Sequence, residues 1–308
     1  MKFRKVILYF IVITFFSISR TIAFDNSTKN DKLVSTEWLD KNLNHEKLVI
    51  LHYGKKEDFE KEHIPNARLI SIRELIVDKE NGLRHELPDD KKIESVIKSW
   101  GIDNDSKIVI CYGDEMALLM AARLYMALDY SGLGDQTSIL NGGFTQWKNE
   151  DRVITSKVSE YQPGNFKMKA NKNVIVDKKW ILENLDNPNV AIVDARPEDQ
   201  YSGSAEDHNS PRRGHIQGAV NVPFFKIQSD DKPFIIKDKS ELQKLFEDNF
   251  VSKGVTVVTY CGSGIWAAPV YFVARCLGYN ARFYDGSIQE WGNDDTLPVT
   301  PPVNVNSD

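Results

Sequence analysis

Cys261 lies in the run Tyr260-Cys261-Gly262-Ser263-Gly264-Ile265-Trp266-Ala267, whose residue types suit a nucleophilic thiol. Before it, Val255-Thr256-Val257-Val258-Thr259 is rich in β-branched residues and predicts a buried strand. After it, Ala268-Pro269-Val270-Tyr271-Phe272-Val273-Ala274-Arg275 predicts a helix with proline in its opening turn. A cysteine between the two stands at the positive end of the helix dipole, where backbone N–H groups can ring an anion. Gly262 and Gly264 let that backbone curl around the sulfur. The expectation is a lowered thiol pKa and a reactive thiolate.

The elements that position this loop occur twice. His63-Ile64-Pro65-Asn66-Ala67 matches His215-Ile216-Gln217-Gly218-Ala219 at an offset of 152 residues. Ile108-Val109-Ile110-Cys111 matches Val258-Thr259-Tyr260-Cys261 at an offset of 150. Gly142-Gly143-Phe144-Thr145-Gln146-Trp147 matches Gly286-Ser287-Ile288-Gln289-Glu290-Trp291 at 144. Three matches in one order define a tandem repeat. In the second copy, strands are predicted at Val190–Val193, near Asn221, at Val255 and at Ala281–Tyr284, with helices over Glu241–Phe250 and after Ala267. That alternation predicts an α/β fold with a parallel sheet flanked by helices, whose ligands bind beyond the strand C-termini. The predicted units span 31–155 and 174–301, joined by a polar, turn-rich linker over 156–173.

The rest of the chain bounds the setting. Its 308 residues suit two domains. Lys2, Arg4 and Lys5 precede an apolar run from Val6 to Ile18, and Thr21-Ile22-Ala23 offers small residues for cleavage, so residues 1–23 read as a signal peptide for periplasmic or secretory export. The apolar run is too short for a membrane span, so no anchor is expected after cleavage. Cleavage would move the formal charge from −5 to −9, which with no basic tract argues against nucleic acid as a partner. Cys111, Cys261 and Cys276 are too few for a disulfide scaffold, and Cys276 reads as an inert thiol. His45, His52, His85 and His208 show no ligand spacing, so no metal site is expected.

Asp194-Ala195-Arg196, Tyr201-Ser202-Gly203, the segment from Gly214-His215 to Val222-Pro223, the Cys261 loop and Asp285-Gly286-Ser287 to Trp291 together resemble a rhodanese domain. The mature chain resembles the tandem-domain rhodanese sulfurtransferases, which pair a silent first domain with a catalytic second one. Cys261-Gly262-Ser263-Gly264 looks most like the 3-mercaptopyruvate type of loop, although that type usually has threonine where Trp266 stands and a basic residue near Gln200. The resemblance implies that Cys261 attacks the outer sulfur of a small anionic donor, thiosulfate or 3-mercaptopyruvate. The resulting persulfide then passes its sulfur to cyanide, a thiol or a thioredoxin-like dithiol, with no metal or organic cofactor.

Within that scheme the loop N–H groups from Gly262 to Ala267, including Ser263, Gly264, Ile265 and Trp266, stabilise the sulfur anion. Trp266 is expected to narrow the mouth and shift donor preference. Arg212 and Arg213 precede Gly214-His215 in a segment that borders the mouth in this family, and are expected to bind the donor's anion. Asp194 and Arg196 are expected to support the site as a local ion pair, and His63 and His215 to cap turns. The first unit has His52-Tyr53-Gly54 in place of Asp194-Ala195-Arg196. Its loop after Cys111 reads as longer and carries Asp114 and Glu115, which would disfavour a thiolate, so Cys111 is expected to be structural. A phosphatase would need a longer cradle ending in arginine. A non-catalytic binding module and a dedicated persulfide carrier remain as alternatives.

Overall fold

The structure is a computed structural model and describes residues 31–232 and 234–301. The expected leader, residues 1–23, lies outside the described residues. In the first domain β1 (Leu33–Val34), β2 (Leu48–Tyr53), β3 (Arg68–Leu69), β4 (Lys107–Tyr112) and β5 (Thr137–Leu140) form a parallel sheet ordered β1-β5-β4-β2-β3. The second domain contains β6 (Ile175–Val176), β7 (Val190–Asp194), β8 (His215–Ile216), β9 (Val220–Asn221), β10 (Thr256–Tyr260), β11 (Asn280–Tyr284) and β12 (Val299–Thr300). Its main sheet is ordered β6-β11-β10-β7-β9 and is again parallel, while β8 and β12 pair antiparallel beside it. The α/β fold of two parallel sheets is as expected. In each sheet the strand leading to the repeated loop, β4 or β10, is central.

Boundaries moved where a local signal was stronger than the apolar pattern. The helix expected over 241–250 spans Lys239–Asp248, because Asp238 accepts from Ser240 N and Glu241 N while the Glu241 carboxylate returns to Asp238 N. The segment 156–173 has no helix or strand and runs along the first domain. Gly164 N donates to Lys98 O (2.8 Å), Phe166 N to Ile102 O (3.1 Å) and Asn171 N to Tyr130 O (2.7 Å).

One apolar core runs through both domains, from Leu51, Ile110 and Ile139 to Val193, Val257 and Phe283. Two helices meet at its centre, Glu115–Tyr130 and Ala267–Cys276. Tyr125 stands edge-on to Phe272 at 4.8 Å. Tyr271 Oη donates to Asp129 Oδ2 (2.7 Å), which also pairs with Arg275 Nε at 2.9 Å. A shared apolar core of this kind resists the relative motion that small polar domain contacts permit.

Two hairpins cross that boundary in opposite directions. In the first domain, Val77 bridges Glu86, and the hairpin ends with Leu87 N on Asp285 Oδ2 of the second domain (3.0 Å). In the second, Gln228 bridges Ile236, and Ile236 N donates to Asn141 Oδ1 of the first (2.9 Å). Asn141 and Asp285 hold the same place in their repeats, so each domain covers the strand ends of the other.

Candidate active site

Tyr260 is the last residue of β10 and Ala267 the first of its helix, leaving Cys261 to Trp266 as the connecting loop. The Cys261 thiol is 1 % exposed. Backbone amides of Ala267, Ser263 and Gly264 hydrogen-bond to it. Gly264 has φ +83°, a conformation that side chains rarely adopt and that turns its amide inward. At Gly262 the reason for glycine is space, since a Cβ there would lie 2.5 Å from Asn209 Nδ2. The loop is held from behind: Ile288 N donates to Cys261 O (3.0 Å), Gln289 N to Gly262 O (3.1 Å) and Cys261 N to Ser287 Oγ (3.2 Å).

The expected low thiol pKa is overturned. Burial pushes the Cys261 thiol above its ordinary value, against the three amides that pull it down, and the Asp194 charge adds to the rise. A dipole and three N–H groups do not offset the loss of water around a thiolate this enclosed. The thiolate fraction at pH 7 therefore lies below that of a free cysteine. Alkylation of Cys261 by iodoacetamide, followed by peptide mass, is expected to rise about tenfold per pH unit past the free-thiol value of about 8.5. A plateau at or below pH 7 would contradict this.

Cys261 opens into a cavity of about 310 Å³ lined by Arg84, His85, Met120, His208, Asn209, Gly262, Ser263, Ile265 and Trp266. Arg84 and His85 come from the first domain's hairpin. His85 Nδ1 lies 2.9 Å from Ser263 Oγ, its backbone N–H donates to Asp78 Oδ1 (3.2 Å), and its carbonyl accepts from Arg123 Nη2 (2.6 Å). Burial holds the His85 pKa below its usual range, with Asp78 opposing and the Arg84 and Arg123 charges adding to the fall, so its imidazole is neutral at pH 7. In the sequence His85 has no ligand spacing and Arg84 lies in none of the repeated motifs. Their relation to Cys261 is purely tertiary.

The two arginines expected at the mouth lie elsewhere. Arg212 gives its guanidinium to the carbonyls of Gly292, Leu297, Trp291 and Asp294, at 2.6 to 3.0 Å, and so ties β8's approach to the chain after Trp291. Arg213 points to Glu206 at 2.6 Å on the surface. Neither lines the cavity, because four nearby carbonyls and a carboxylate satisfy them first. Asp194 and Arg196 form a buried pair, Nη2 to Oδ2 at 2.6 Å, with Asp207 on the far side at 3.2 Å. Arg196 also holds Gly214 O (2.8 Å), so it braces the segment in front of His215 rather than reaching a donor. Trp266 stacks on Phe224, with centroids 5.2 Å apart, and forms one wall of the mouth. Ala267 is fully buried and contributes its amide. His63 and His215 make equivalent contacts, to Phe59 O and Tyr201 O, each stacked on that partner's ring at 3.9 Å.

Cys111 is not the counterpart of Cys261. β2 pairs His52 with Cys111, whereas β7 pairs Asp194, the residue in His52's place, with Tyr260. Tyr112 therefore stands where Cys261 does, and Cys111 faces the other side of its sheet, beside Val109 and Trp147. The first domain's loop is also shorter than Cys261's, not longer. Only Gly113 and Asp114 separate β4 from the helix at Glu115, whose N-terminus Asp114 caps through Ala117 N at 2.9 Å. The hollow above it, about 320 Å³, is lined by His52, Asp58, Glu62, Asp114 and Lys148 among others, and has no thiol in its wall. Burial alone pushes the Cys111 thiol well above its ordinary value.

The comparisons agree with this geometry. The rhodanese-like domain family matches residues 35–150 and again 177–294. Thiosulfate sulfurtransferase of Bos taurus is 30 % identical over 276 residues, covering 84 % of this chain and 91 % of the relative. The 3-mercaptopyruvate sulfurtransferase of Escherichia coli (strain K12) is 30 % identical over 241 residues, covering 78 % and 83 %. The solved structure of SseA, a 3-mercaptopyruvate sulfotransferase from Escherichia coli, superposes with a TM-score of 0.71 at 26 % identity, over 83 % of this chain and 98 % of that one. With two matched domains and relatives covered over most of their length, the chain belongs to the rhodanese family, as a tandem-domain sulfurtransferase.

Proposed function

We propose that this protein moves a sulfane sulfur from thiosulfate or 3-mercaptopyruvate, through a persulfide on Cys261, to cyanide or a thiol. The observation that carries this reading is the Cys261 sulfur held by the amides of Ala267, Ser263 and Gly264 at the wall of a small cavity. The Cys261 thiolate attacks the donor's outer sulfur and forms a new S–S bond. The old bond to that sulfur breaks, and its electron pair leaves with sulfite, or with pyruvate enolate, which then takes a proton. An acceptor thiolate or cyanide removes the outer sulfur and returns Cys261 as a thiolate. The sulfur on Cys261 is anionic as it attacks and again when it is released by the acceptor, within reach of fixed N–H groups that need no reorganisation. A raised thiol pKa requires a proton acceptor before attack, and the neutral His85 bonded to Ser263 is the proton-handling pair at hand.

The test is mass spectrometry of the purified protein after mixing with each donor separately. One sulfur gained on the peptide holding Cys261 supports the reading and names the donor. No gain with either donor would leave a binding module as the better account. Export is proposed on the leader sequence, Lys2 to Ala23, and an intact mass starting at Phe24 checks it.

A further inference from the structure

We propose that Arg84, carried by the first domain, grips the anionic end of the sulfur donor that reacts at Cys261 of the second. The inference rests on the sulfurtransferase reading and assigns the donor-recognition residue within it. Among the described residues lining the cavity, Arg84 alone carries a permanent charge, and no carboxylate lines that wall. Its guanidinium meets a neutral oxygen, Asn209 Oδ1 at 2.5 Å, and no carboxylate within ion-pair distance among the described residues. The arginines around it are occupied: Arg123 by Asp285, Arg196 by Asp194, Arg213 by Glu206, Arg212 by backbone carbonyls. Donor charge therefore has one unneutralised partner to find beside the thiol.

Arg84 is also fixed in place before any donor arrives. Its N–H donates to Gln289 Oε1 (3.1 Å) and its carbonyl accepts from Gln289 Nε2 (2.9 Å), while Gln289 N bonds Gly262 O. Gln289 thus ties the Arg84 backbone, through its side chain, to the residue that follows Cys261, through its own backbone N–H. Asn209, its resting partner, is held by Asp207 Oδ1 through both its backbone and side-chain nitrogens, at 2.8 and 2.6 Å. Exchanging that amide oxygen for a carboxylate or a thiosulfonate oxygen replaces a neutral hydrogen bond by a charge-assisted one, and the guanidinium fork can hold two oxygens at once.

The test is single-turnover sulfur loading, with thiosulfate and 3-mercaptopyruvate titrated separately, in Arg84→Gln, Arg84→Lys and the parent. Arg84→Gln is expected to raise the half-loading donor concentration by about 10–100-fold, the worth of a hydrogen bond to a charged group. Arg84→Lys should fall between, because it keeps the charge and loses the fork. Discharge of the persulfide, loaded at high donor concentration, to neutral 2-mercaptoethanol should match the parent. A rise with one donor alone supports the inference and identifies the anion bound. Loading by Arg84→Gln at the parent's concentrations with both donors overturns it. Equal slowing of loading and discharge also overturns it, since that pattern marks a disturbed loop. A defect in Arg213→Gln instead of Arg84→Gln would return the role to the surface arginine. If the parent itself takes no sulfur from either donor, the underlying sulfurtransferase reading fails instead.

Discussion

Asp285→Asn is expected to destabilise the protein by about 3–5 kcal/mol, lowering the thermal midpoint by roughly 6–20 °C, and to cut sulfur loading as well. Arg123 is fully buried and its Nη1 lies 2.7 Å from Asp285 Oδ1, a charge contact that is off-axis for a hydrogen bond. Removing the carboxylate leaves a guanidinium in the core without a counter-charge, the costly half of any buried ion pair. The same aspartate holds Leu87 N, and Arg123 holds His85 O and approaches Gly264 O at 3.5 Å. One pair thus fastens the first domain's hairpin to the second domain's cysteine loop. The deficit should depend on pH. Burial, then the Asp285 charge, pushes Glu86 from its ordinary 4.5 to about 7. A carboxylate raised in the folded state binds its proton more tightly there, so the parent loses stability as pH rises from about 4.5 through about 7. The substitution relieves the repulsion that grows over that window, and its deficit should be larger at pH 5 than at pH 8. Unfolding of both proteins at the two pH values checks this; a deficit under about 1 kcal/mol at pH 5 would rule the argument out. The double change Arg123→Met with Asp285→Leu separates the two consequences. It should recover the part of the deficit that comes from the unpaired charge, as apolar replacements of buried pairs do, and keep the cost of the backbone groups the pair satisfied. Loading should stay low, because Leu87 N and His85 O remain without partners.

The parts of this molecule legible in the sequence are those whose cause is local. β-Branched runs, the spacing of the glycines and the repeated Trp147 and Trp291 gave two parallel sheets and one cysteine loop. The register of Cys111 was not legible. Ile108-Val109-Ile110-Cys111-Tyr112 is apolar on both faces, as a central parallel strand must be, so no alternation marks which side chain faces the loop. A slip of one residue then moves the thiol to the opposite face. Arg212 lies away from the mouth expected for it because proximity in sequence to His215 says nothing of side-chain direction, and carbonyls from Trp291 to Leu297 intercept it. The thiol pKa departs from its expectation for the opposite reason. The helix dipole is a local signal, while the burial that outweighs it comes from packing of both domains around Cys261. Arg84 and His85 arrive from a hairpin over 170 residues away in the chain, and only the fold shows that they meet the loop.

Cys261→Ser should lose sulfur loading by at least about a thousandfold, because an alcohol is far less ionised than a thiol and only the sulfur anion is the nucleophile here. The fold should persist, since the side chains are close in size and the loop's backbone bonds to Ile288, Gln289 and Ser287 do not involve the thiol. Cys111→Ala is the informative companion. Its sulfur lies in the outer cluster with Val109 and Trp147, away from any donor, so loading should equal the parent's. Gly264→Ala separates the thiol from its cradle. The residue sits at φ +83°, and a Cβ there would come within 3.2 Å of Asp285 Oδ1, so the loop must shift and the inward amide turn away. Loss of one preorganised N–H donor is worth about 10²–10³ in rate at comparable sites. The expected order is therefore parent and Cys111→Ala together, Gly264→Ala well below, Cys261→Ser lowest. Peptide mass after donor treatment reads all four proteins. Sulfur retained in Cys261→Ser, or found on the Cys111 peptide, would remove Cys261 as the carrier. Gly264→Ala loading at the parent's rate would spare Cys261 but deny the amides their part, leaving the strand-to-helix placement of the thiol as the sole source of its reactivity.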